Sequence, residues 1–417
     1  MAAHLSDFFG LMKRLWRGER VGGYEGPLGE MPYAYLADWV AEEIPILFCG
    51  FGAKSLEFAG SVFDGVILHT FLSDRALATS IEAVRRGAER AGRDPAGVKV
   101  WSVLATVHEP SEEARLRYLV ARLATYLQAP LYGDLLVSAN GWNPSTLDAF
   151  RAHPTVAGMQ GAIDSLATVE DLAVIARLVP EEWLPAAVGS ADRCASRIVD
   201  QFRAGVSVPA GRREINWDGG NTANEATSVA GNPFTGFQVS RGALFTTPDG
   251  TGFVQAPAGT DVPPGGLAGF FNNPTYKTSF RAFSASRLFA VVGGKVTDVT
   301  FFVPGGGNVA ATVNGFAAVF SDVDQPNGSG PAKKRGNRNA STLIEYYGTD
   351  GQLLFSSHVP ASPGDGGFSF FGVVFPDARV ARVRITSGDV APGPNDSEKD
   401  DVVMMDDFIF GEPHQVQ

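Results

Sequence analysis

The character of the chain changes abruptly near Val206, and this change limits the fold more than any other feature of the sequence. Before it, apolar residues recur at helical spacing, as in Ala76–Ala91. After it, Gly and Pro become frequent, and short runs rich in Phe and Val alternate with turn residues. A chain of 417 residues is long enough for two such halves to fold separately. We therefore expect a multidomain protein with a first domain at 1–206, a linker at 207–211 and a second domain at 212–413.

The first half alternates helical patterns with short apolar runs that resemble buried strands. These runs lack clean alternation, which is typical of strands covered on both faces, and they are Ile46–Cys49, Gly65–Thr70 and Val98–Val107. The helical patterns cover Ala76–Ala91, Ser111–Leu127, Thr168–Val179 and Ala191–Ala204. Strands that alternate with long helices indicate parallel βα units.

The second half reads as a series of short strands separated by turn chemistry. The Asp350-Gly351 dipeptide between two of them is a strong hairpin signal. The predicted strands are Gly236–Phe245, Ser279–Phe283, Val296–Phe302, Gly315–Phe320, Thr342–Tyr347, Leu353–His358, Phe368–Phe375, Ala378–Ser387 and Val402–Phe410. This pattern predicts an all-β antiparallel sandwich, jelly-roll-like in outline.

Composition excludes several classes of function. A net charge of −11 argues against a nucleic-acid footprint. Apolar stretches are too short for a membrane span, and the N-terminus lacks the apolar core of a signal peptide, so we expect a cytoplasmic protein. Cys49 and Cys194 are too few for a disulfide framework and are expected to be buried thiols.

The turn after the first apolar run carries the best candidate site. A strand ends at the sequence Gly50-Phe51-Gly52-Ala53-Lys54-Ser55, and a helix is predicted to begin at about Ser55. Glycines allow close approach of a ligand, and a helix start presents unpaired N–H groups and a positive dipole end, which suits a phosphate. Lys54 or the Ser55 hydroxyl could add a hydrogen bond. The alternative is a tight βα turn without a ligand, because the third glycine of a dinucleotide fingerprint is absent.

Two further groups of side chains invite a functional interpretation. His69 follows a predicted strand and is a candidate for catalysis or ligand contact, with simple packing as the alternative. The acidic loop with Asp322, Asp324 and Asn327 suggests calcium, and Asp406 and Asp407 could reach the same ion if the strands fold together; these are the predicted metal ligands. Aspartates in turns also cap their own backbone, which is the competing explanation.

The stretch from Pro45 to Pro95 resembles the luciferase-like monooxygenase family, in its deazaflavin-dependent branch. The resemblance rests on Leu56–Gly60, Asp64–Leu68 and Arg85–Pro95, and weaker similarity extends to Phe8–Gly26 and Gly189–Val206. It implies a (β/α)₈ barrel that holds FMN or the deazaflavin coenzyme F-420 and acts on a small organic substrate. By position, Gly52, Ala53 and Ser55 fall on the family's phosphate-gripping turn.

A barrel of this kind needs about 250 residues, whereas the helical half has only 206, so we expect a partial (β/α) TIM-type barrel. A partial barrel exposes sheet edges, which a homodimer partner or the second domain would cover. The third possibility is that the partial barrel is unable to hold a cofactor. The second half resembles an uncharacterised bacterial β-sandwich module that is often found in exported proteins, which conflicts with a cytoplasmic location. The sequence thus favours a flavin- or deazaflavin-dependent oxidoreductase or monooxygenase, which an incomplete barrel could leave inactive. The alternatives are a non-catalytic glycan- or calcium-binding sandwich with a structural barrel remnant, or a chain that joins two unrelated reading frames.

Overall fold

The structure is a computed structural model that describes residues 2–37, 44–207, 210–218, 227–258, 266–324, 342–362, 364–396 and 400–416. The chain forms two compact units, which are described separately. The first unit comprises Met1–Ala105 and Glu112–Pro185, and the second comprises Thr106–Ser111 and Ala186–Gln417. By packing, the second unit therefore begins before the linker predicted at 207–211.

The first unit combines many helices with a small parallel sheet. Its helices are α1 Ala2–Trp16, α2 Ala53–Val62, α3 Asp74–Arg90, α4 Glu112–Arg115, α5 Ala121–Gln128, α6 Tyr132–Asn140, α7 Pro144–Ala152, α8 Pro154–Ala157, α9 Ile163–Leu166 and α10 Val169–Leu178. Its strands are β1 Val21–Gly26, β2 Gly29–Ala34, β3 Leu47–Cys49, β4 Gly65–Ile67 and β5 Lys99–Trp101. A π-helical segment, Leu116–Val120, joins α4 to α5, so the helix predicted at Ser111–Leu127 is continuous but irregular.

Strands β3, β4 and β5 form a parallel sheet in that order, which confirms the predicted βα organisation. Phe48, Val66 and Val100 point to the helical side and join the core of the unit. The opposite face carries Leu47 and Trp101, which are 39% and 54% exposed. Cys49 lies on this uncovered face and is exposed, so the expectation of a buried thiol was wrong for it, whereas Cys194 is buried.

Helices α2 and α3 pack closely because small residues lie between them. A Cβ atom on Gly60 would collide with the Val84 carbonyl, and one on Gly87 would collide with the Glu57 carbonyl. The core beneath them contains Leu56 and Leu77, both almost fully buried. The apolar spacing that predicted α3 therefore marks the side that packs on α2 and the sheet.

The second unit contains a parallel strand pair, a two-stranded antiparallel sheet and two larger antiparallel sheets. Its strands are β6 Thr106–His108, β7 Ala187–Gly189, β8 Arg212–Ile215, β9 Ser228–Gly231, β10 Ala243–Thr246, β11 Gly252–Pro257, β12 Arg287–Val292, β13 Val296–Phe301, β14 Ala311–Thr312, β15 Gly315–Ser321, β16 Leu343–Tyr347, β17 Leu353–His358, β18 Phe368–Val374, β19 Arg382–Thr386, β20 Met404–Gly411 and β21 His414–Gln415. Its helices are α11 Ala191–Val206, α12 Gln238–Arg241, α13 Leu267–Phe271 and α14 Tyr276–Ser279.

The two sheets have five and seven strands. The five-stranded sheet has the order β10-β13-β19-β16-β17, and the seven-stranded sheet has the order β18-β15-β20-β12-β11-β9, with β8 also paired to β20. Antiparallel pairing within both sheets confirms an antiparallel sheet-rich second half, and β16 and β17 form the hairpin predicted at Asp350-Gly351. Trp217 stacks on Phe289 at 3.8 Å between ring centroids within the aromatic core. The jelly-roll outline stays a prediction.

Helix α11 packs on the seven-stranded sheet rather than standing apart from it. Val199 and Val206 are fully buried against Val319 and Ile409, and the ring of Phe202 lies edge-on to Phe370 at 5.5 Å. This apolar contact places the last helix of the first sequence half in the second compact unit.

Two predicted strands were wrong in whole or in part. The Gly236–Phe245 segment forms helix α12 first, and only after Gly242, with φ of 76°, does strand β10 begin. The Ser279–Phe283 segment is not a strand, because side chains satisfy its backbone: the Arg281 amide donates to Ser321 Oγ at 3.0 Å and the Phe283 amide to Asp406 Oδ2 at 2.7 Å. Across the described residues, no helix combines the length and the apolarity that crossing a membrane requires.

Candidate functional site

The Gly50–Ser55 turn joins β3 to α2 and leaves the first amides of the helix unpaired. Helix α2 begins at Ala53, two residues earlier than predicted, and Gly52 is its N-cap without a side-chain cap. The Leu56 amide donates to the Gly52 carbonyl at 2.9 Å, but the amides of Ala53, Lys54 and Ser55 donate no hydrogen bond within the described part of the chain. Three free N–H groups at the positive end of a ten-residue helix form an anion-binding arrangement.

The space above this turn is open. A Cβ atom built on Gly52 would meet only Ser55 Oγ, at 3.8 Å, and Ala53, Lys54 and Ser55 are all exposed. By contrast, a Cβ atom on Gly50 would press on the ring of Phe48 at 2.5 Å. A side chain on Gly50 would therefore displace the Phe48 ring, whereas Gly52 leaves room for a ligand. The residues present fit a phosphate group.

His69 follows β4 and lies beside the same turn, inside a group of aromatic rings. Its ring centroid is 5.0 Å from that of Phe51, 4.8 Å from that of Tyr126 and 5.7 Å from that of Tyr132. Tyr126 and Tyr132 stack on each other at 5.3 Å. No local pattern in the sequence marks these two tyrosines, which come from α5 and α6, more than fifty residues after His69.

The hydrogen bonding of His69 fixes its tautomer. Nδ1 accepts a hydrogen bond from the Phe71 amide at 3.1 Å, so the proton of the neutral ring is on Nε2. Nε2 is buried and has no partner within the described residues. Burial lowers the pKa of His69 to about 4. At neutral pH the ring is therefore an uncharged hydrogen-bond donor and is not a general acid or base near its working pKa.

Arginines at the end of α3 and just after it contact α2. Arg86 and Arg90 bind Glu57 of α2 at 3.1 and 2.7 Å, and Arg93 donates to the Gly60 carbonyl at 2.7 Å. These contacts reach from one helix to the other along the surface. They therefore help to orient the helix whose N-terminus is the candidate phosphate site.

The structure does not bring the predicted calcium ligands to one point. Asn327 lies outside the described residues. Asp406 pairs with Val319 across β15 and β20, and Asp322 is three positions further along, which corresponds to about 10 Å in a strand. Asp322 and Asp324 instead approach Asp401, whereas Asp406 and Asp407 belong to a different group.

Asp406 and Asp407, together with Asp218, surround the hydroxyl of Ser284. Ser284 Oγ lies 2.6 Å from Asp407 Oδ1, 3.1 Å from Asp406 Oδ1 and 3.2 Å from Asp218 Oδ2. The amides of Phe283 and Ser284 donate to Asp406 Oδ2, and Arg203 donates to Asp407 Oδ2 at 3.2 Å. Burial and the neighbouring Asp407 charge raise the pKa of Asp406 well above its usual range. Every carboxylate here has protein partners, so the group is a structural network that ties α11 to the sheet.

The comparisons with known proteins bear on the first half. The family model for luciferase-like monooxygenases matches residues 2–207. The N-terminal half of the chain belongs to this family. An F-420-dependent glucose-6-phosphate dehydrogenase of Segniliparus rotundus is 34% identical over 109 residues, which is 26% of this chain and 32% of that protein. The family assignment gives the first half a luciferase-like fold of the TIM-barrel class.

Solved structures match at lower similarity. The coenzyme F-420-dependent tetrahydromethanopterin reductase from Methanopyrus kandleri is 17% identical, with a TM-score of 0.38 over 49% of this chain and 55% of that chain. A long-chain alkane monooxygenase is 15% identical, with a TM-score of 0.31 over 48% of each chain. The chain thus spans about a third of the dehydrogenase and about half of the solved chains, and the family match alone carries the assignment.

Proposed function

We propose that this protein is an oxidoreductase of the luciferase-like monooxygenase family that binds FMN or coenzyme F-420 and acts on a small organic substrate. The observation that carries the proposal is the turn from Gly52 to Ser55. It supplies three unpaired amides at an open helix N-terminus, within the segment that matches the family. When bound, the cofactor supplies the redox chemistry, and the protein supplies orientation and electrostatics.

Each residue of the turn has a distinct part in this proposal. The amides of Ala53, Lys54 and Ser55 would donate to phosphate oxygens, and the helix dipole would favour the negative charge. The Ser55 hydroxyl and the Lys54 ammonium, both exposed, would add a neutral and a charge-assisted hydrogen bond. Gly52 would keep the entrance open, because any side chain there would stand above the amides.

His69 is proposed to contribute a neutral donor at the same end of the sheet. Its Nε2–H is buried and unpartnered, and its ring touches Phe51 in the phosphate turn. A buried donor without a partner is costly to the folded protein, and a ligand acceptor would remove that cost. The proposed role is hydrogen bonding to bound ligand rather than proton transfer, because a pKa of about 4 keeps the ring uncharged at neutral pH.

The described parallel strands are too few to close a barrel by themselves. Within the described residues, five strands pair in parallel, as β3-β4-β5 and β6-β7, whereas a complete barrel of this class has eight. Leu47 and Trp101, on the face opposite the helices, are 39% and 54% exposed, and in a closed barrel this face would point to the interior. We propose that the partial barrel has this face covered in the working protein, and a homodimer is one way to do so.

The test is a fluorescence-quenching titration of the full chain with FMN, riboflavin and coenzyme F-420. Riboflavin has the ring system of FMN but no phosphate, so preference for FMN over riboflavin measures the phosphate contact. We expect FMN or coenzyme F-420 to bind and riboflavin to bind at least ten-fold more weakly than FMN, equivalent to about 1.4 kcal/mol. Absence of binding by either cofactor at tens of micromolar would contradict the proposal.

A negative charge placed at the start of α2 tests directly whether the turn binds the phosphate. Ala53→Asp puts a carboxylate at the first position of α2, which suits the helix dipole but repels a phosphate. We expect FMN affinity to fall at least about ten-fold while the melting temperature holds. Ala191→Asp is the matched control, because Ala191 is also an exposed first residue of a helix, α11. Equal effects of both substitutions on FMN binding would rule out the turn as the phosphate site.

A further inference from the structure

A cavity with a volume of about 340 Å³ lies in the second unit, between helix α11 and the sheet on which this helix packs. Its deepest part is formed by Val199 of α11 and Val319 of β15, which are 0% and 1% exposed. Ile198, also on α11, lines the cavity and is 38% exposed. The aromatic rings of Phe283 and Phe368 add to the wall and lie edge-on to each other at 5.5 Å. The cavity is therefore a cleft that is closed at its base and reaches the surface.

The walls of this cavity are held in place by contacts made outside it. The Phe283 amide donates to the buried Asp406 Oδ2 at 2.7 Å. The Ser362 amide, in the segment that forms another wall, donates to the Val323 carbonyl at 2.8 Å. Helix α11 is fixed on the sheet through the fully buried Val206. Because each wall has anchors of its own, the space is preformed and does not close by collapse of the neighbouring side chains.

The lining of the cavity is apolar and uncharged. Among the described lining residues, none carries a charged side chain, and Ser362 and Ser369 are the polar ones. Side chains alternate along a strand, so the Ser369 hydroxyl points to the other face of β18 from Phe368 and Phe370. The hydroxyl of the half-buried Ser362 makes no hydrogen bond within the described residues. Such a lining offers water too few polar partners and offers a charged ligand no compensation for its lost hydration.

We propose that this cavity binds a small, uncharged, hydrocarbon-rich molecule whose single hydroxyl or carbonyl group pairs with Ser362. Its volume is more than twice the ~150 Å³ of an apolar cavity that holds benzene, which corresponds to a molecule of about ten to fourteen carbon atoms. Burial of the hydrocarbon part drives binding, and the preformed walls reduce the cost of ordering the site. The site is built entirely from residues of the second unit, so it does not depend on the oxidoreductase proposal.

The test uses N-phenyl-1-naphthylamine, an uncharged probe whose fluorescence rises in apolar surroundings, titrated into the full chain. We expect one probe molecule to bind per chain and decan-1-ol to displace it. Decanoate has the same chain length but is charged at neutral pH, so it should displace the probe about ten-fold less well or worse. Equal displacement by decan-1-ol and decanoate would overturn the assignment of an uncharged ligand.

Two substitutions locate the probe in the cavity. Ala195→Leu places a larger apolar side chain into the cavity from α11, so it should weaken probe binding about ten-fold or more. Its melting temperature without probe should stay at or above that of the wild type, because the added atoms fill empty apolar space. Ala361→Leu fills the same space from a different segment and should also weaken binding, which keeps the test decisive if one variant folds poorly.

Ala191→Leu is the matched control. It makes the same substitution at the exposed first residue of the same helix, outside the lining of the cavity, and should bind the probe as the wild type does. Probe binding that is absent from the wild type, or that is as strong in Ala195→Leu and Ala361→Leu as in Ala191→Leu, would overturn the proposal.

Discussion

The imidazole of His69 is surrounded by Phe51, Tyr126 and Tyr132, and this burial lowers its pKa to about 4. An unfolded chain would return the pKa to about 6.5. Between these two values the unfolded state binds more protons than the folded state, so the folded state loses stability as the pH falls. His69 thus adds stability above pH 6.5 that disappears progressively towards pH 4.

His69→Phe tests this linkage at the residue scale. The variant fills the aromatic pocket but leaves the Phe71 amide without its acceptor, which should cost about 1 kcal/mol of unfolding free energy at every pH. The variant also loses the unpartnered Nε2–H, so the pH dependence decides the test: the stability of the wild type relative to the variant should fall from pH 7 to pH 5. Urea denaturation at both pH values measures it. A difference that is the same at pH 5 and pH 7 would show that His69 titrates normally.

Helix α2 is held against α3 by close backbone contact. The ion pairs from Arg86 and Arg90 to Glu57 are surface contacts and are worth little individually. The close approach at Gly60 and Gly87 matters more, because the carbonyls of Val84 and Glu57 occupy the space where a Cβ atom would lie. The position of the phosphate turn therefore depends on two glycines far from the ligand.

Gly87→Ala and Gly10→Ala should have opposite effects. Both glycines lie inside helices, where alanine is intrinsically favoured by about 1 kcal/mol. A Cβ atom on Gly10 meets nothing within 4 Å, so this variant should gain about 0.5–1 kcal/mol of unfolding free energy. Gly87→Ala should instead lose about 1–3 kcal/mol through overpacking and weaken cofactor binding. Chemical denaturation of the two variants measures their unfolding free energies. A stabilised Gly87→Ala would mean that α2 and α3 can move apart without loss of stability.

The elements that the sequence predicted well are those with a strong local signal. Helix α3 follows from its apolar spacing, and the β16–β17 hairpin follows from Asp350-Gly351. Strand β11 Gly252–Pro257 was missed because Gly252 and Pro257 are turn-forming residues and only four residues lie between them. The Gly52–Ser55 turn was found from its glycines, yet Tyr126 and Tyr132 were not, because only the tertiary fold brings them to His69.

The group of Asp322, Asp324 and Asp401 also shows that a single sequence does not reveal which distant residues come together. The loop with Asp322 and Asp324 is visible in the sequence, but Asp401 is 77 residues away from Asp324 along the chain. From the sequence, Asp406 and Asp407 were expected to reach the same ion if the strands folded together. The strand register between β15 and β20 places them elsewhere, and register is fixed by long-range packing that a single sequence does not display.

At the scale of the whole molecule, the two units carry buried ionisable groups of opposite sensitivity to pH. The first unit contains His69, whose protonation at lower pH favours the unfolded state because its pKa is lowered in the fold. The second contains Asp406, which is 0% exposed and faces Asp407, Ser284 and Asp218, with Arg203 and Glu214 beyond Asp407. Because its pKa is raised in the fold, Asp406 contributes stability that is fully present below pH 3.9 and is lost as the pH rises. Asp64 and Glu214 are examples of carboxylates whose pKa values are lowered in the fold. Above pH 5 they are ionised in both the folded and the unfolded state, so they do not make stability depend on pH there.

We therefore expect the two unfolding transitions to move in opposite directions between pH 5 and pH 8 in EGTA. Scanning calorimetry should show the melting temperature of the first unit rising from pH 5 to pH 7 and that of the second unit falling. Core substitutions assign the transitions: Leu123→Ala creates a cavity in the first unit and Val199→Ala in the second, since both side chains are fully buried. Each should lower only its own transition. If the melting temperature of the second unit did not fall with rising pH, then Asp406 would be ionised in the folded state, as would Asp322 and Asp401, whose pKa values burial raises to about 8 and about 7.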